Sequence, residues 1–434
     1  MKENKQERDR SALRKRALAL LLAPGLAFSQ SALAAGSNDE IEELRAMILS
    51  LQARLESMEQ AHAAKPATPA AAAAPAEGNL LPRGLKLYGS LDSGVERVTH
   101  VGASGKTLGR IPSTTGSGPS IVGLDFRRNM TDSVAAIGKA EMGIFLDTGS
   151  SGQGSRLFGR QLYVGIDTPY GSLTFGRQYS MLFFGLHGAD ILGPNIYGLG
   201  SIDAYIPNAR ADNAVAWRGK FDKLSLGAHY SFGRDTVNNT VPASGFCAGE
   251  NATDASACRG WSAMARYDDP KFGVSVAIDK QRGGTDAQAA FFNGSAPIAI
   301  ASSGDGDRRI TTNGYVRLGA AKLGAGWLGR KVEAGATDVR QDTWWVAAEY
   351  ALTPKWTIDG SVFRVANDDQ DRHANLYAVR GLYKFDDQLA AYLTAGYIDN
   401  STNATYGVSG GGAGAAPAAG KSQLGTMAGV RYRF

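Results

Sequence analysis

A chain of 434 residues with 55 glycines, 20% charged residues and a mean hydropathy of −0.20 is too polar for a bundle of membrane-spanning helices, each of which needs about 20 consecutive apolar residues. The net charge of +5 does not signal nucleic-acid binding either, because residues 1–16 hold seven Lys or Arg against three acids and the remainder is close to neutral.

The basic start leads into the apolar run ALALLLAPGLAF and the small-residue site Ala32-Leu33-Ala34. These are the three parts of a secretory signal, so a signal peptide is expected over 1–34, with cleavage after Ala34 and export. An uncleaved anchor fits less well, because the run is short and Pro24 and Gly25 interrupt it.

Next, Ile41, Leu44, Ile48, Leu51, Leu55 and Met58 recur at alternating steps of three and four. Those are the a and d positions of a heptad, which predicts a short α-helical coiled coil over 35–60. An amphipathic helix lying on another surface is the alternative; an a/d-only stripe is narrower than that face usually is. A helix of this length is marginal alone, so the chains are expected to be held together elsewhere as well. An Ala/Pro-rich linker follows over 61–84.

From Leu85 onward, short segments alternate apolar and polar residues. In LSLGAHYSF, Leu224, Leu226, Ala228, Tyr230 and Phe232 share one face; in FGVSVAID, Phe272, Val274, Val276 and Ile278 do so. Side chains alternate across a strand, so each segment has an oily and a wet face. Aromatics such as Trp217, Trp344, Trp356, Tyr432 and Phe434 gather near strand ends, as in the girdles of a membrane barrel. Seven short turn candidates lie at 129–133, 168–172, 219–223, 268–272, 319–324, 352–355 and 385–388, between longer loops that include 181–209, 234–259, 281–308 and 399–421. Seven turns with both ends on one side predict an all-β fold, a sixteen-stranded antiparallel transmembrane β-barrel over 85–434.

Cys247 and Cys258 stand eleven apart in a polar stretch. In an exported chain that spacing predicts a disulfide in the fourth external loop; free thiols or half a metal site fit less well, since no histidine is near. Alternation sends Ser225, His229, Asp279, Arg317, Glu349, Asp359, Arg380, Lys384, Arg431 and Arg433 to the inner face, most of them only to keep the lumen wet. No enzyme is expected, and no metal or cofactor. The five histidines have no ligand spacing, GxSxG is absent, and Gly105-Lys106-Thr107 lacks the upstream glycine of a phosphate loop.

The segments LKLYGSLDSGV, RQLYVGIDTPYGSLTFGRQYS, ARADNAVAW, CRGWSAMARY and the terminal RYRF together resemble the Gram-negative general-diffusion porins, in particular their β-proteobacterial branch. The resemblance covers 85–434 and implies a homotrimer in the bacterial outer membrane, surrounded by lipid and lipopolysaccharide. It also implies that the barrel insertion machinery reads Phe434, and that passive diffusion of small hydrophilic solutes and ions is the function. It implies that the third external loop, 181–209, folds inward, with Asp190 and Asp203 facing wall arginines Arg177 and Arg210 across a constriction. Two departures weaken that field: Ile121 stands where a further arginine is expected, and Asn195 where a further acid is. Arg177 lies on the same face as Leu173 and Phe175, so its lumenal direction requires a bulge, which Gly176 could supply. The surviving arginines suggest weak anion preference. The other reading is a barrel-anchored adhesin or envelope tether working through the coiled coil, with the extension in the periplasm.

Overall fold

The computed structural model describes residues 49, 50, 53, 84–234, 247–290, 297–335 and 337–434. The signal peptide and linker lie outside these residues. Of the expected coiled-coil helix, only Leu49, Ser50 and Ala53 are described, all helical. The contact pattern divides the chain into two units, Met1–Gly78 and Asn79–Phe434.

The sixteen long strands of the second unit form a closed antiparallel barrel. They are β1 Leu85–Val101, β2 Ile121–Asn129, β3 Ala135–Phe145, β4 Gln161–Thr168, β5 Gly171–Tyr179, β6 Ala214–Phe221, β7 Leu224–Ser231 and β8 Gly260–Asp268. Then come β9 Phe272–Arg282, β10 Gly306–Leu318, β11 Ala321–Ala334, β12 Thr337–Ala351, β13 Trp356–Asn367, β14 Arg372–Lys384, β15 Leu389–Asn400 and β16 Gln423–Arg433. Each strand pairs with its sequence neighbours, and β1 closes on β16 from Ser90 opposite Arg433 to Val98 opposite Gly425. Short ribbons at Lys106–Arg110, Ser150–Ser151 and Arg210–Ala211 extend the sheet into loops.

All seven short turns fall where the sequence marks them, and local chemistry makes them. Asp222 takes φ 54° in the two-residue link from β6 to β7, and Gly319 takes φ 61° between β10 and β11. Asp386 Oδ1 accepts the amides of Gln388 and Leu389, and Thr353 Oγ1 those of Lys355 and Trp356; such side-chain acceptors stand in for a missing ladder partner. At the opposite end two of the expected long loops are short, since only residues 335–336 join β11 to β12 and 368–371 join β13 to β14.

The outward face is apolar at its middle, with Val164, Val274, Val276, Val346 and Leu393 all exposed. Tyr170, Phe221, Trp356 and Phe385 ring it at the turn end, and Tyr230, Trp261 and Trp344 at the loop end. A water-soluble sandwich would not leave such a band uncovered; a lipid-facing barrel requires it.

The inner face departs from the expected wet lumen. Toward the loop end, Trp345, Phe363, Val365 and Leu376 point inward and are buried against residues of the loops 180–213 and 401–422. An apolar core therefore sits inside the barrel.

Candidate pore constriction

Loop 180–213 supplies most of the filling. Its base is closed by the Ser180 amide donating to Ala209 O at 2.8 Å, and helix α1, Met181–Leu186, runs along the wall. There the Met181 amide donates to Ser262 Oγ, Asn313 Nδ2 to Gly185 O and Trp345 Nε1 to Ala189 O. The chain then crosses the lumen. The Ile196 amide donates to Gly116 O, Ile196 O accepts from Gly410, and Tyr197 lies over Gly396 and Gly425, where any Cβ would come within 2.7 Å of its side chain.

The return limb is fixed by ions. Asp203 receives Arg309 Nε at 2.7 Å and Nη2 at 3.1 Å, and Asp307 receives Arg309 Nη1 at 3.0 Å and Arg330 Nη2 at 2.8 Å. Tyr205 Oη, two residues on, donates to Asp279 on β9. Asp203, only 1% exposed, therefore does not face the opening as expected; it latches the loop to β10, because a buried carboxylate needs a cation in contact.

At the base of the same limb, where Arg210 Nη2 also donates to Pro207 O, is a cluster built around Tyr179, whose Oη accepts from Arg160 Nη2 at 2.6 Å and Arg210 Nη2 at 2.7 Å. Arg160 Nε also donates to Glu141 at 2.7 Å. Burial pushes the Arg210 guanidinium down to about 10, with Tyr179 opposing and Arg160 and Arg177 adding to the shift, which still leaves it cationic at neutral pH. Its Nε is buried with no hydrogen-bond partner among the described residues.

Arg177 Nη1 meets Asp212 at 2.7 Å, and Arg156 grips the same carboxylate through both nitrogens at 3.0 Å. Gly176 has φ 127°, a conformation natural to glycine, yet pairing between β4 and β5 runs through it unshifted. The extra residue lies on the other neighbour, between Ala211 and Val215, where the register to β5 slips by one and Asn213 has φ 49°. The bulge expected at Gly176 is thus displaced to the facing strand.

Nearer the turns, a cavity of about 420 Å³ is lined by Asp167, Arg218, Lys220, Ser225, Arg266 and Asp268, with Phe184 and His187 as its roof. Desolvation by the surrounding wall, with Arg266 and Arg218 adding, takes His187 down to about 4, although its outer edge stays exposed to the cavity, so it is neutral there. Asp190 is half-buried in the loop, and burial raises its carboxyl to about 7 against the pull of Arg380 and Lys322.

The remaining inner-face residues lie where alternation sends them, but do not form one site. Arg380 pairs with Asp359 at 2.7 Å and donates to Ser117 O, while Arg431 donates to Ser117 Oγ. Arg317 lies over the Tyr315 ring at 4.6 Å, Glu349 is opposite Lys322, and Arg433 is opposite Ser90. His229 is buried with neither ring nitrogen bonded among the described residues. Cys247 and Cys258 form the expected disulfide, packed against Ala287, Ala289 and Ile300 of the next loop.

Sequence reasoning missed Arg156 and Arg160, which lie just before β4, and the inward path of loop 401–422. There Tyr406 and Val408 are fully buried and Tyr406 Oη donates to Gln341. Apolar residues on both faces of TWWVAAEYA, at 343–351, were the available signal, since a strand with two oily faces is covered on both sides.

A closed barrel with its third long loop folded inside and arginines facing it is the arrangement on which the sequence comparison bears. The sequence model of the Gram-negative porins matches residues 61–403. The chain belongs to that family. An outer membrane porin of Bordetella pertussis is 27% identical over 215 residues, taking in 48% of this chain and 52% of the relative, so the match spans about half the length of that curated protein. Among solved structures, the anion-selective porin of Comamonas acidovorans superimposes with a TM-score of 0.66 at 18% identity, over 81% of this chain and 99% of its own. OmpF of Salmonella typhi does so with 0.55 at 16% identity, over 81% and 97%. At these identities the likeness is one of fold. Family membership and the Bordetella relative assign this porin to the outer membrane.

Proposed function

We propose that the chain forms a water-filled channel through which small hydrophilic solutes and ions diffuse passively across the outer membrane, with a weak preference for anions. The carrying observation is the charge balance beside the narrowing: Arg160 and Arg210 converge on one phenol with a single carboxylate, Glu141, on Arg160, while Asp203 is neutralised by Arg309, so one buried cation is left in excess there. Fixed charges act over about 8–10 Å at moderate ionic strength, so a few of them bias passage without excluding the other sign. The anion selectivity named for the Comamonas porin agrees with this reading.

The same reading puts the short turns and the N-terminal extension on the periplasmic side and the long loops outside. It makes the assembly a homotrimer, as in the trimer form solved for OmpT of Vibrio cholerae, with Phe434 as the mark read by the insertion machinery. The test is the zero-current potential across a planar bilayer under a KCl gradient, for the wild type and Arg210→Ala. Anion preference is expected, shifted toward cations in the variant. Cation preference in the wild type would refute the proposed constriction.

A further inference from the structure

The cavity between helix α1 and the turns has no part in the constriction, and its charges do not balance. Three cations, Arg218, Lys220 and Arg266, and two acids, Asp167 and Asp268, face it. Both acids are engaged already. Asp167 receives Arg127 Nη1 at 2.7 Å and Ser172 Oγ at 2.6 Å, and Asp268 receives Arg266 Nε at 2.6 Å and Tyr315 Oη at 2.7 Å. Arg218 and Lys220 have neither a hydrogen bond nor a carboxylate partner among the described residues. They leave the cavity with two positive charges in excess.

The strand puts these two cations side by side. Arg218 and Lys220 are alternate residues of β6, so both point inward, about 7 Å apart along the chain. Lys220 stands opposite Ser225, whose hydroxyl adds a neutral donor on β7. The Arg218 guanidinium lies over the Phe184 ring at 4.3 Å. That contact occupies its face and fixes its plane, but the five N–H donors lie in the plane and stay free at the edge. Where an arginine of this wall is purely structural, its donors are met, as Arg160 is by Glu141 and Tyr179, and Arg309 by Asp203. Stacking alone therefore does not account for Arg218, and it does not account for Lys220 at all.

The donor set selects a kind of anion. A carboxylate brings one charge and two oxygens, whereas a terminal phosphoryl group brings close to two charges and three acceptor oxygens. The planar fork of an arginine, the movable ammonium of a lysine and a hydroxyl match the second. A volume of about 420 Å³ is that of a pocket for a small molecule, and Phe184, Met264 and the neutral His187 give it an apolar side for the rest of a solute.

We propose that this cavity is a binding subsite for a terminal phosphoryl group, free or carried by a small solute, held by Arg218 and Lys220 with Ser225 as the added donor. The inference rests on the channel reading and names a class of solute for it. The site is weak by necessity, because a pore that conducts must release what it binds.

The test is isothermal titration calorimetry of the full-length protein in detergent at pH 8 with inorganic phosphate, glucose 6-phosphate, glucose or acetate at matched ionic strength. Single-channel current is recorded in planar bilayers with the same solutes, and heat-modifiable gel migration reports the folding of each variant. Inorganic phosphate, glucose 6-phosphate or both should bind at least about tenfold more tightly than acetate, and should interrupt the current over the same concentration range. The double variant Arg218→Gln with Lys220→Gln should lose at least about tenfold in that affinity. Lys271→Gln, which removes an exposed cation in the turn between β8 and β9, should bind as the wild type does. Binding of the ester identifies a phosphorylated solute, and binding of inorganic phosphate alone identifies the free ion. Equal affinity for acetate, or for glucose and glucose 6-phosphate, overturns the proposal, as does unchanged affinity in the folded double variant. An equal loss in Lys271→Gln also overturns it, by reducing the effect to the general field of the pore. A wild type that binds phosphate in this way but passes no current would refute the channel reading and leave the subsite standing.

Discussion

Asp190 is the residue at which charge in the opening should depend on pH. Its carboxyl is raised to about 7, mainly by burial, while Arg380 and Lys322 act the other way. Below that value it is neutral and adds nothing to the carboxylates already paired with the arginines; above it the loop gains a further negative charge. Anion preference should therefore fall between pH 6 and pH 8, and Asp190→Asn should hold the low-pH value throughout. Reversal potentials at the two pH values check this, and a wild type that does not respond would remove Asp190 from the constriction. His187 does not contribute to the change, because at about 4 it is neutral across that range.

At the scale of elements, the loops inside the barrel are held in two different ways. Loop 180–213 is tied by the buried Asp203, Arg309, Asp307 and Arg330 group. Removing one partner of a buried pair strands a charge at a cost of about 3–5 kcal/mol, so Asp203→Ala should lower the unfolding temperature and raise single-channel conductance as the loop loosens. Conductance equal to the wild type would mean that the apolar contacts alone seat the loop. Loop 401–422 is held by Tyr406 and Val408 in the core and by backbone contacts of Gly410 and Gly411 with Ile196 and Ser113. Deleting residues 409–417 should widen the passage and raise conductance with the barrel intact. The turns could be read from sequence because their chemistry is local: an Asp, Thr or Gly at a fixed offset decides the bend. The path of loop 401–422 could not, since GVSGGGAGAAPAAG reads as solvated chain and its burial comes from distant partners such as Ile196, Ser113 and Gln341. Likewise nothing near Asp203 distinguishes a carboxylate facing water from one facing Arg309, which lies 106 residues away. Arg160 was as visible as Arg177, but only the partner Tyr179 gives it a place.

For the whole molecule, the sixteen strands followed from the turn count because closure requires an even number when both ends share a side. The N-terminal extension is expected to add cohesion without contributing to conduction. A chain lacking residues 35–79 should give the wild-type conductance per channel, and its trimers should dissociate at a lower temperature on semi-native gels. Complete loss of conductance in a correctly inserted barrel would instead favour a tether in which the extension is indispensable. Anion preference should also weaken as salt rises from 0.1 to 1 M, because the screening length shrinks from about 10 to about 3 Å.

The seam between β1 and β16, tied by the Gly89 amide on Phe434 O at 2.9 Å and the Phe434 amide on Gly89 O at 3.2 Å, sets an order in time. The first strand of the barrel is the partner of its sixteenth, so until those two meet neither margin of the folding sheet has its mate. Every shorter intermediate carries two unpaired edges beside an oily face, the combination that invites clumping. Closure can come only as a final, all-or-nothing event, slow because it joins positions so distant along the chain. The seam therefore makes closure depend on length: a chain that stops before β16 has no partner for β1 and keeps two open edges.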